Sequence, residues 1–177
     1  MVTNGLALFH NDQLTGLLPT EQSVLFVLLS EKMGKTARMT QRLSSKDSSN
    51  LSDYVTFEVS KGRLKRKLKV TTDKNDNVHV NIKLHLQIVV VEYPKGQLHK
   101  TKERENLNKQ LSKQLTNESK KIIKTLQKAH CDAFGIGRQL IAYHPDLWKK
   151  KNWKEDYPKV KFTPEVEVKM LYSGVLN

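Results

Sequence analysis

The stretch NVHVNIKLHLQIVVVEY, Asn77 to Tyr93, decides how this chain folds. Val78, Val80, Ile82, Leu84, Leu86 and Ile88 alternate without a break against His79, Asn81, Lys83, His85 and Gln87. Successive side chains of a strand leave opposite faces. Strict period two therefore predicts one buried and one wet face of an antiparallel sheet. Pro94 and Gly96 then end the strand.

Two more strands are expected just upstream. DYVTFEV, from Asp53, is rich in β-branched and aromatic residues. RLKRKLKV, from Arg63, puts Leu64, Leu68 and Val70 on one face and Lys65, Lys67 and Lys69 on the other, and TTDKNDN supplies the turn into the central strand. Downstream the period changes. Leu107, Leu111, Leu115, Ile122, Ile123, Leu126 and Ala129 form an apolar stripe on an otherwise charged helix between Lys100 and His130. DAFGIGRQL and the residues to Pro158 predict two short helices broken at Pro145, and a last strand follows with Val166, Val168 and Met170 on one face.

The opening GLALFHNDQLTGLLPTEQSVLFVLL, from Gly5, reads as strand, turn at Asn11-Asp12, strand, then a helix starting at Thr20. Thr40 to Ser52 is polar and serine-rich, the best linker candidate. The fold expected is α+β: an antiparallel β-sheet packed against a long amphipathic helix plus short helices. It divides into a lead segment, residues 1–45, and a C-terminal α+β domain, residues 46–177.

The chain has 177 residues with an apolar fraction of 37%, which suits a globular domain rather than a disordered one. Thirty-one basic residues against eighteen acidic ones give +13, a bias toward nucleic acid, an anionic membrane surface or an acidic protein. Cys131 is the single cysteine, so no internal disulfide and no multi-cysteine metal cluster is expected. MVTNGLALFHNDQL lacks the basic lead-in of a secretion signal, and VLFVLLS is too short to cross a bilayer.

No catalytic constellation emerges. Gly135-Ile136-Gly137 resembles the start of a phosphate loop, but Leu140 stands where a third glycine belongs and a charged helix, not a strand, precedes it. A helix-to-helix corner is the plainer reading, with glycine supplying a positive φ or a close approach. The six histidines are scattered, and His79 and His85 lie too far apart on one strand to chelate an ion alone. Cys131 beside His130 points elsewhere than a nucleophile and its base would. No metal, cofactor or enzymatic activity is expected. The lysines of KRKLK and LWKKKNWK, with Trp148 and Trp153, leave nucleic-acid binding as the alternative, although core packing is the commoner fate of such tryptophans.

The C-terminal third carries a resemblance. A long basic helix leads into DAFGIGRQL, then YHPDLWKKKNW, YP and a strand closing on SGVL. This resembles the spore germination receptor C-subunit family, Ger(x)C, in an Asp-x-x-Gly-x-Gly turn, a Tyr-x-Pro-x-x-Trp segment, a second Trp and a terminal glycine. Asp132, Gly135, Gly137, Tyr143, Pro145, Trp148, Trp153 and Gly174 match as they stand. The opening GLALFHNDQLTGLL is similar to the segment that begins the family's C-terminal region.

The resemblance implies a C-terminal portion of a lipoprotein, anchored through a lipidated cysteine to the outer face of the spore inner membrane. It implies a non-catalytic subunit acting with germinant-receptor A and B membrane subunits in the response to nutrients. An anionic membrane surface is a further expected partner, and nucleic acid is not. Cys131, behind a charged helix, is not the lipid-attachment cysteine.

Overall fold

The computed structural model describes residues 5–43 and 53–173. The deciding stretch is its central strand, β6 (Val78–Glu92), whose even-numbered apolar residues from Val78 to Val90 are all buried. Two strands lie end to end along one side of it, broken by a 3-10 turn at Lys61–Arg63. These are β4 (Tyr54–Ser60) and β5 (Leu64–Thr72), both antiparallel to β6. Outside β4 runs β3 (Thr36–Arg42), antiparallel from Thr36 opposite Ser60 to Arg42 opposite Tyr54. Thr40 to Arg42, expected in a linker, therefore belong to a strand. Residues 44–52 lie outside the described residues, as does the expected division at 45/46.

On the other side of β6 runs β7 (Lys161–Ser173), and it is parallel. The α+β class stands, but this pairing makes the sheet mixed rather than wholly antiparallel. Alternation along β7 looks the same for either direction. The crossover through the helices returns the chain to the end of the sheet where β6 began, and so fixes a parallel entry.

The helix α2 (Thr101–Lys128) buries Leu107, Leu111, Leu115, Ile122, Ile123 and Leu126. It also closes the free edge of β7. The N–H groups of Val166, Val168 and Met170 donate to Thr116 Oγ1, Ser112 Oγ and Asn108 Oδ1 at 3.0, 2.9 and 3.0 Å. Four helical residues rise about 6 Å and two strand residues about 6.6 Å, so the two rows stay in step.

β1 (Leu6–His10) and β2 (Gln13–Leu18) form a separate hairpin leading into α1 (Thr20–Leu29), as the opening predicts. Leu8 and Leu18 from the hairpin, and Leu25, Leu28 and Leu29 from α1, join the same buried cluster as β6. After α2 come α3 (Ile136–Tyr143) and α4 (Pro145–Lys149), which meet at Pro145 as expected, and a third short helix α5 (Trp153–Asp156).

Candidate functional site

Of the eight residues that carry the resemblance, Asp132, Gly135, Gly137, Trp148 and Trp153 meet at the corner after α2. Asp132 Oδ1 accepts the Ile136 N–H at 2.8 Å, and Oδ2 accepts the Gly137 N–H at 2.7 Å and the Trp153 indole N–H at 3.2 Å. Gly135 turns the chain with φ +72° in the left-handed region. A Cβ on Gly137 would lie 2.8 Å from Trp153 Nε1, so only glycine lets the indole reach the carboxylate. Trp153 packs between Trp148 and Tyr157, with ring centroids 5.8 and 5.6 Å away. The Tyr157 hydroxyl donates to Cys131 O at 2.9 Å, and burial pushes its pKa up, which keeps the donor protonated.

This arrangement explains why the two glycines do not make a phosphate loop. The N–H groups opening α3, which a phosphate would need, are already bonded to Asp132. Tyr143 lies apart from the corner with its side chain 77% exposed, and Pro145 serves as the first residue of α4. Gly174 lies outside the described residues. Trp148 and Trp153 are half-buried and pack against each other.

Four of the six histidines, His10, His79, His85 and His130, make structural contacts. His130 Nδ1 bonds to Lys154 O at 2.8 Å, and His10 Nδ1 bonds to His130 O at 2.9 Å. Burial raises the Cys131 thiol pKa, the opposite of what a nucleophile needs. His79 pairs with Asp73 at 3.1 Å and His85 with Glu167 at 2.8 Å. Among the described residues no cluster of three or more His, Cys, Asp or Glu side chains is placed to hold a metal ion.

Among the described residues, two exposed side-chain surfaces stand out. The wet face of the sheet carries Lys65, Lys67 and Lys69 on β5, then His79, Lys83 and His85 on β6, then Glu165 and Glu167 on β7. Lys83 stands opposite Lys67 but is bonded to Glu165 at 2.9 Å, which raises the Lys83 pKa and lowers that of Glu165. The second surface is the outer side of the β1–β2 hairpin, where Phe9, Leu14 and Leu17 are 50%, 59% and 65% exposed. The sequence reading did not pick out this patch, although LFHNDQLTGLL holds more apolar residues than one buried hairpin face can use. None of the described helices is long and apolar enough to cross a membrane.

Comparison with known proteins adds identity to this geometry. The model of the family described as spore germination B3/GerAC-like, C-terminal, matches residues 4–174. The crystal structure of the GerBC protein is similar in fold, with a TM-score of 0.73 and 19% identity over 94% of this chain. This chain spans 50% of that protein's length. No curated protein matches the chain by sequence. With the family model covering nearly every residue, the chain belongs to the spore germination B3/GerAC-like family and matches its C-terminal domain.

Proposed function

We propose that this chain is the C-terminal domain of a germinant-receptor C subunit and works by contact rather than catalysis. Family membership supports a receptor-subunit role. The observation that carries the contact reading is the hairpin's exposed apolar face, Phe9, Leu14 and Leu17, in a chain whose Asp132 corner is filled by its own donors. In the full-length protein a lipid anchor holds this domain at the outer face of the spore inner membrane, and the A and B subunits are its partners. The test is co-purification of the full-length lipoprotein with its membrane subunits. Leu14→Asp and Leu17→Asp, at exposed positions, are expected to abolish it while leaving the fold intact. Undiminished co-purification of the double variant would show that the hairpin is not the contact.

The excess of basic charge further favours an anionic lipid surface. Sedimentation with anionic and neutral vesicles at low and high salt tests this: binding to anionic vesicles only, weakened by salt, is expected. Equal binding to both would overturn it.

A further inference from the structure

The sheet treats its two outer edges differently. The β7 edge is closed from within by Asn108, Ser112 and Thr116. The opposite edge is only half filled. β3 lies beside β4 and begins at Thr36, opposite Ser60, with the Lys61 N–H bonded to Lys35 O at 2.9 Å. Beyond that point the chain turns away toward α1, while the sheet continues as β5, whose single strand neighbour is β6. The Leu64 N–H is taken up by Lys61 O in the 3-10 turn, and among the described residues no hydrogen bond reaches the outer backbone edge of β5 from Arg66 to Thr72. The N–H and C=O groups that alternate away from β6 therefore form an open row in line with β3.

The side chains along this row say what fits it. Lys65, Lys67 and Lys69 are exposed on the wet face, while Leu68 and Val70 are only half-buried on the other. No carboxylate among the described residues pairs with those three lysines. A second copy's β5 laid antiparallel would set lysines against lysines, which is unfavourable. A strand alternating acidic and apolar residues meets both faces at once. The chain itself contains the pattern. Glu165 and Glu167 of β7 reach Lys83 and His85 across the wet face, while Val166 and Val168 are buried on the other.

We propose that the outer edge of β5 is a docking site for an extended acidic–apolar segment of a partner protein, which adds to the sheet as a strand beside β5. Backbone hydrogen bonds would supply the pairing, the three lysines the charge selectivity, and Leu68 with Val70 the apolar side. The proposal is independent of where the protein is anchored and of the hairpin contact.

The probe is a labelled peptide of about eight residues alternating glutamate and valine, read by fluorescence anisotropy against the 177-residue chain. Saturable binding is expected, weakened roughly tenfold or more by Lys65→Glu, Lys67→Glu and Lys69→Glu together. Methylating the peptide nitrogens on one edge should abolish binding, while methylating those on the other should not. Equal binding of both methylated peptides, or of a peptide with the same composition in blocks, would reduce the effect to charge attraction and overturn strand addition. Binding of anionic vesicles that the lysine reversals remove, with no peptide binding, would assign the face to lipid and overturn it. So would a dimer in sedimentation that the same reversals break.

Discussion

At Asp132 two oxygens accept from three donors, one of them twenty-one residues away. Asp132→Ala would leave two helix-opening N–H groups and an indole N–H without their acceptor, at a cost of about 2–3 kcal/mol in urea unfolding. Gly137→Ala drives a Cβ to within 2.8 Å of Trp153 Nε1 and 3.2 Å of Asp132 Oδ2, so the indole must leave. A loss of about 1–3 kcal/mol is expected, with a red shift of tryptophan emission. Gly135→Ala meets nothing within 4 Å but must hold φ +72°, so it should cost about 1 kcal/mol and leave the emission unchanged. The order of these residues was legible in the sequence, because it carries the resemblance. Their joining at one carboxylate was not, since a contact twenty-one residues apart leaves no local period. Asp73 offers a pH test at the same scale. Hydrogen bonds from the Asn77 side chain, His79 and the Asn77 and Asn75 backbone hold its carboxyl well below the ordinary value of 3.8. A depressed folded pKa contributes stability above the unfolded value and loses it as pH falls toward the folded one. Urea midpoints of the wild type and Asp73→Asn should therefore differ above about pH 4 and converge in stronger acid.

The helix α2 shows at the next scale how one element serves two surfaces. Its leucine row covers the sheet, and the adjoining row of Asn108, Ser112 and Thr116 ends the edge of β7. Ser112 is the middle of the row, donating to Asn108 O at 2.7 Å while accepting from Val168. Ser112→Ala should cost about 1–2 kcal/mol and speed exchange of the Val168 amide about tenfold. Unchanged exchange at Val168 would show that the edge does not depend on this hydroxyl. The apolar stripe of α2 was readable by its spacing. The polar row was not, because asparagine, serine and threonine at intervals of four look like any solvated helix face. Strand β6 was readable for the same reason as the stripe: every second residue is apolar and buried. TARMTQR of β3 carries only Ala37 and Met39 as apolar alternates, too weak a pattern to mark a strand, and its last three residues, Thr40 to Arg42, read as the start of the serine-rich linker. Nor did anything local mark β7 as parallel, since direction is set by the crossover and not by the strand.

For the whole molecule the question is whether residues 1–45 form a unit of their own. Composition separates them from residues 46–177 at a polar run, but burial joins them. Leu18, Leu28 and Leu29 of the lead segment are fully buried in the same cluster as Phe57, Val80 and Leu111 of the remainder. β3 supplies the outer strand beside β4 along its full length, and Ala129 of α2 would sit 3.2 Å from a Cβ placed on Gly16 of the hairpin. Removing the segment would therefore uncover an apolar face of α2 and the backbone edge of β4 together, and each is unfavourable in water. We expect the intact chain to unfold in one cooperative transition, its calorimetric and van't Hoff enthalpies agreeing. We expect the 46–177 fragment, expressed alone, to show no cooperative transition and to aggregate through the uncovered strand edge. Two separate transitions in the intact chain, or a folded and monomeric fragment, would instead make the lead segment an appendage. The hairpin's exposed leucines would then lie on an arm free to move against the sheet, rather than on a face held at a fixed position by the common core.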